Sequence, residues 1–85
     1  MNNKARQIRE TFHEKKHFID LLAAEDSEFL ALCEDHDACV HALRYWAKSK
    51  EPEAETRVNE YRIFVQELQE EIAQALAAME LPERD

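Results

Sequence analysis

Not one glycine occurs in the 85 residues of this chain. Glycine takes positive φ without a steric penalty, so a chain lacking it has few ways to build the tight hairpin turns and bulges of a β-protein. The bulk of the sequence is Ala, Glu, Leu, Arg and Gln, residues that lose little freedom in a helix. An all-α fold follows. At this length the chain forms one domain over residues 1–85, and folding hides only about 60% of the surface its unfolded form exposes.

Hydrophobic spacing divides that domain. Val58, Tyr61, Val65, Leu68, Ile72, Ala75 and Met79 recur in steps of three and four, which predicts a helix over about 52–81. Pro52 suits its first turn, Glu53 and Glu55 complement the positive end of its dipole, and Pro82 sets its end near Leu81. Phe29, Cys33, His36, Val40, Leu43 and Ala47 form a second stripe, widened by Leu32, Cys39 and Trp46, for a helix over about 27–48. Lys48 and Lys50 stand where a helix C-terminus favours cations, and Ser49–Glu51 is a short connection, so these two helices should return antiparallel as a hairpin. Upstream, Ile8, Phe12, Ile19 and Leu22 continue the same spacing, flanked by Phe18 and interrupted by Lys15, for a helix over about 4–24. Asp26 and Ser27 either cap a new helix or form a polar layer within one continuous helix, and a break or kink is the favoured reading.

Pairing about a turn near residue 50 sets residue 29 opposite 71 and residue 19 opposite 81, which leaves the residues before about 19 overhanging. Ile8 and Phe12 must therefore fold back onto the hairpin or meet another chain, because two helices cannot cover a stripe on every member. The expectation is a homo-oligomer, a dimer with a four-helix core, whose interface draws on Ile8, Phe12, Ile19, Phe29, Leu32, Val40, Leu43 and Leu68.

Charge narrows the partners. The chain carries −8 overall, yet in residues 1–17 Lys4, Arg6, Arg9, Lys15 and Lys16 against Glu10 and Glu14 leave +3, with −11 on the remainder. Such a surface repels nucleic acid except at the N-terminal segment, so nucleic acid is not an expected partner. No apolar run approaches the 18–20 or so residues that span a bilayer, and no secretory signal pattern opens the chain, so a cytoplasmic location without a membrane partner is expected. Cys33 and Cys39, about 9 Å apart along one helix, should be free thiols.

Three groupings invite a chemical reading. His13-Glu14-Lys15-Lys16-His17 matches H-E-x-x-H, which sets two imidazoles one helical turn apart on zinc. A zinc protease also needs a third ligand and a closed cleft, so two solvated histidines are the simpler reading. Cys33, His36 and Cys39 share one broad helix face and have the chemistry of soft-metal ligands, but one straight helix cannot wrap a tetrahedral ion without ligands from elsewhere. The simpler reading makes both cysteines small apolar core residues and His36 a polar core position that fixes register. Tyr45, Trp46 and Tyr61 form either an aromatic part of the core or an exposed anchor. Without glycine no P-loop or dinucleotide fingerprint exists, and Ser27 and Ser49 sit where helices start and stop. No catalytic residue and no cofactor site is assigned, and the chain is not expected to be an enzyme.

At His17-Phe18-Ile19-Asp20-Leu21-Leu22, then Asp26-Ser27-Glu28-Phe29 and Leu32 with His36, the sequence resembles the YdcH-like family. Leu68, Glu71, Ile72 and Leu76 fit that family's closing L-x-x-E-I-x-x-x-L pattern, so the resemblance covers about residues 17–77. It implies a small bacterial helical hairpin with no enzymatic activity, cofactor or catalytic residues to carry over. The chain departs from the pattern in its basic N-terminal extension, in Cys39 and His41, and in having few lysines between Arg57 and Gln69. The leading functional expectation is a non-enzymatic, self-associating helical interaction module that leaves an acidic outer surface for an unknown protein partner. The alternative is metal or thiol-redox sensing by Cys33, His36 and Cys39 at a subunit seam, and a third reading assigns an acidic partner or nucleic acid to the basic N-terminal segment.

Overall fold

The computed structural model describes residues 5–80, with side chains through Met79. The chain is all-α, with no strand among the described residues, and its order is α1 (Arg6–Thr11), a 3-10 turn (His13–Lys15), α2 (Lys16–Glu25), α3 (Ser27–Lys48) and α4 (Ala54–Glu80). No helix among the described residues is long and apolar enough to cross a membrane.

Two helices do most of the organising. α3 and α4 run antiparallel as the principal contact of the fold, while α1 and α2 pack back onto α3 and α2 also reaches α4. The connection is built from local bonds. Ser49 Oγ accepts from Glu51 N at 3.1 Å, Ser49 N donates to Trp46 O, and Ala54 N donates to Glu51 O. These turns occupy Pro52 and Glu53, so α4 begins at Ala54, two residues later than the proline alone suggested.

The break at Asp26 is real. Its backbone is extended (φ −129°, ψ 105°), and its Oδ1 accepts from Glu28 N at 2.9 Å and Phe29 N at 3.2 Å. An N-cap of this kind is worth about 1 kcal/mol. The continuous-helix alternative is thereby excluded: α2 ends as Asp26 N donates to Leu22 O, and α3 starts on the same residue's carboxylate.

The helix expected over about 4–24 is corrected, because it is broken a second time. Phe12 leaves helical geometry (φ −113°, ψ 56°), and a 3-10 turn over His13–Lys15 separates α1 from α2. Neither proline nor glycine causes this. Lys15 falls on the inward stripe of an uninterrupted helix, where its ammonium would be buried at a cost of several kcal/mol. With the turn, Lys15 sits half-buried beside Phe12 and near Ala73, Leu76 and Ala77, a position from which its long stem covers apolar surface. Lys4 and Leu81, which would close the expected helix boundaries, lie outside the described residues.

The overhang is resolved within the chain. Ala5, Ile8, Ile19, Ala23, Phe29, Cys33, Ile72 and Leu76 form one core cluster, and Ile8, Ile19 and Ile72 are completely buried. Ile8, Ile19 and Phe29, expected at an interface between chains, are therefore covered by their own chain and are unavailable to another in this fold. Phe12, Leu32, Val40, Leu43 and Leu68 are half-buried. Polar contacts at the rim hold the N-terminal helices in place: Arg9 pairs with Asp20 at 3.1 Å between α1 and α2, and Arg44 donates to Gln7 at 3.3 Å between α3 and α1. Both contacts are exposed, and such pairs are worth at most about 1 kcal/mol.

Candidate functional site

α3 and α4 have two faces across their shared groove. α1 lies against one of them, where Arg6, Gln7 and Glu10 meet Asp37, His41 and Arg44. Among the described residues, the other is lined by the hairpin alone: Asp35, Ala38, Cys39 and Ala42 from α3, with Tyr61, Phe64, Glu67, Leu68 and Glu71 from α4. This open groove encloses about 460 Å³. Alanines on α3 keep its wall low, so a neighbouring backbone can approach closely. Leu68 and Cys39 form its apolar floor, and Tyr61 meets Phe64 edge to face at 5.7 Å.

Phe64 is 47% exposed, an unusual state for so large an apolar ring. The cause is local. Ile63, Phe64 and Val65 are consecutive, and on a helix they spread over about 200°. Val65 follows the inward stripe, so its two neighbours are left outside. Stripe spacing alone passed over Phe64, although a run of three large apolar residues in an otherwise amphipathic helix was a visible signal that one face was too wide for the hairpin. Around the apolar floor stand carboxylates, Asp35 on the α3 side and Glu67 and Glu71 on the α4 side, and no Lys or Arg is among the described residues that line the groove.

Between the two faces lies His36, 1% exposed and the one buried polar side chain of the described core. Its Nε2 lies 3.1 Å from the Gln69 amide nitrogen on α4. With Gln69 donating to Nε2, the imidazole proton resides on Nδ1, which is buried without a hydrogen-bond partner. The pair ties α3 to α4 across the core. What it supplies is register: His36 opposite Gln69 puts the pairing axis of the hairpin between residues 52 and 53 rather than at 50. The shift follows from the turns that delay the start of α4.

Burial lowers the His36 pKa below the ordinary 6.5, with Asp37 pulling weakly the other way. The unfolded chain therefore binds more protons than the folded one below about pH 6.5, and stability falls as pH drops through that value toward the folded-state pKa. We expect a lower urea midpoint at about pH 5.5 than at about pH 7.5, and a His36→Leu variant that loses this component. An unchanged pH dependence in the variant would show that His36 is not the group responsible.

The cysteine and histidine candidates separate. Burial pushes the Cys33 thiol up to about 12, with Glu34 adding to it, and Cys33 is fully buried. Burial and then Asp35 raise the Cys39 thiol, which lines the open groove. Both cysteines are free, outside any disulfide. Nowhere among the described residues do three His, Cys, Asp or Glu side chains converge to hold an ion. His13 stands in the 3-10 turn and His17 in α2, both exposed, so H-E-x-x-H lacks the single α-helical turn that its zinc geometry requires. His41 is exposed beside Asp37 at 3.8 Å. The aromatic trio splits: Tyr45 and half-buried Trp46 meet edge to face at 5.0 Å on α3, while Tyr61 pairs with Phe64.

Compared with known proteins, the chain matches no family model, no curated protein and no solved structure.

Proposed function

We propose that the chain is a non-enzymatic helical protein-interaction module of the cytoplasm, whose working surface is the open groove between α3 and α4. The observation that carries this reading is Phe64: a large ring, 47% exposed, at the edge of an apolar groove that the chain's own N-terminal helices leave uncovered. Exposed apolar surface of this kind, rimmed by polar residues, marks binding sites. A groove between two antiparallel helices suits a third helix, which completes a bundle by packing at about 8–10 Å.

Chemistry within the chain supports little else. Burial raises the pKa of both thiols and lowers that of His36, which faces the Gln69 amide. Metal or redox sensing by Cys33, His36 and Cys39 has no set of three converging ligands behind it among the described residues of one chain. The YdcH-like resemblance fits the same non-enzymatic reading.

A photo-crosslinking residue at position 64, introduced into the full chain in the cells that make it, tests the surface without presupposing its occupant. Discrete crosslinked protein species are expected from position 64 and not from exposed position 14 in the N-terminal 3-10 turn. Equal labelling from both positions, or none from 64, would remove the groove as a working surface.

A further inference from the structure

The occupant of the groove is legible in its charge. We infer that the α3–α4 groove receives a cationic amphipathic helix of another protein, a claim that rests on the interaction reading above and names its partner class.

Three features of the groove fix the chemistry of what fits it. Its floor is apolar, from Ala38, Cys39 and Ala42 on one wall to Tyr61, Phe64 and Leu68 on the other. The α4 residues from Tyr61 to Glu71 span about 15 Å, so a guest helix of about three turns, with apolar residues at i, i+3, i+4 and i+7, matches it in length and period. The rim is acidic on both sides, Asp35 on α3 facing Glu67 and Glu71 on α4, with no Lys or Arg among the described lining residues. A helix laid between them therefore brings its two flanks against carboxylates, and lysine or arginine on both flanks is the complement. Arg57, one turn before Tyr61, is already engaged by Glu60 at 3.0 Å and does not offset this rim.

The same argument disfavours a second copy of the chain. A two-fold contact groove to groove places Asp35, Glu67 and Glu71 of each copy over the other's carboxylates, and like charges brought together across an interface cost several kcal/mol. Two cations of the chain's own basic stretch are engaged away from the groove, Arg6 with Glu10 and Arg9 with Asp20. α1 lies on the opposite side of α3, where Arg6 borders the cleft with Asp37. The acidic groove thus looks outward to a positive partner.

The test uses a synthetic helical peptide of about 18 residues with a leucine stripe flanked by lysines, its charge-reversed twin with glutamates in place of the lysines, and a scrambled peptide of the lysine composition. Binding to the full chain is followed by anisotropy of a labelled peptide, at about 50 mM and about 300 mM salt. We expect saturable binding of the lysine peptide alone, weakened at least about tenfold by the higher salt and by Glu67→Lys with Glu71→Lys, and abolished by Phe64→Glu. These three side chains are exposed, so the variants should keep the wild-type circular dichroism; Glu67→Gln with Glu71→Gln, which removes charge without reversing it, should give an intermediate loss. Glu51→Lys with Glu53→Lys at the hairpin turn should leave binding unchanged.

Equal binding of the scrambled peptide, or of the charge-reversed twin, overturns the inference, since neither stripe nor charge would then be recognised. If no peptide binds while light scattering shows a dimer that Phe64→Glu converts to monomer, a second copy fills the groove: the inference falls and the interaction reading stands. If no peptide binds, Phe64→Glu alters no association and a crosslinker at position 64 captures no protein, both fall.

Discussion

Replacing Ile72 by alanine should remove about 3 kcal/mol of folding free energy, read as a large fall in the urea midpoint with the slope unchanged. Ile72 is completely buried and belongs to the cluster that joins Ile8 and Ile19 from the N-terminal helices to Phe29 and Cys33 from α3. Truncating it strips three methyl or methylene groups from a point where α4 meets the N-terminal helices and α3 in one cluster, and leaves a void there. In a chain of this size the loss is a large fraction of the total stability, on the order of 5 kcal/mol or a little more, and amounts to a fall in melting temperature on the order of 15 °C. Phe64→Ala is the internal comparison. Its ring is larger, but nearly half of it already meets water, so its truncation should cost less than about 1 kcal/mol. The reverse order of the two costs would mean that α4 is rotated about its axis, with the groove face packed and the present core face open.

That contrast also marks what the sequence could and could not reveal. The inward stripe of α4 was visible because Ile72 and its neighbours repeat at the helical period, and the period is a property of one helix. The cap at Asp26 was visible for the same reason: a short acidic side chain before Ser27 and Glu28 satisfies backbone donors locally, and the bonds to Glu28 and Phe29 are those the pattern implied. Register was harder. His36 was recognisable as a polar residue on an apolar stripe, yet its partner Gln69 depends on how many residues the connection consumes, and that was decided by Ser49 and the turns through Glu53.

The break at Phe12 and the groove at Phe64 were the least legible, and for a shared reason. Both depend on how wide the buried face is, not on its period. Lys15 on the stripe hinted that the first helix could not continue undisturbed, and Ile63-Phe64-Val65 hinted at apolar surplus on the last. Spacing alone could not assign that surplus to one side of the hairpin, because it does not say which face α1 and α2 will cover.

Detaching α1 and α2 should produce the largest change of all. Ile8→Asp with Ile19→Asp places two carboxylates where both side chains are now completely buried, and burying unpaired carboxylates costs several kcal/mol each, so the N-terminal helices should leave the hairpin rather than carry the charges inside. Phe29, Cys33, Ile72 and Leu76 would then face water along one side of α3 and α4. A hairpin of two helices cannot hide such a stripe, which leaves association or unfolding as its outcomes. Light scattering should therefore show the variant either as a larger species or as an expanded chain without cooperative unfolding. Cys33 reports the same event chemically. In the intact fold it is fully buried with its thiol held near 12, so it should resist thiol reagents. In the double variant it should react at least about tenfold faster, because both the cover and the apolar surroundings that suppress its thiolate are gone. Should the variant keep the mass, the cooperative transition and the unreactive Cys33 of the parent, then α1 and α2 contribute nothing to the core, and the surplus stripe that they cover would need another chain to hide it.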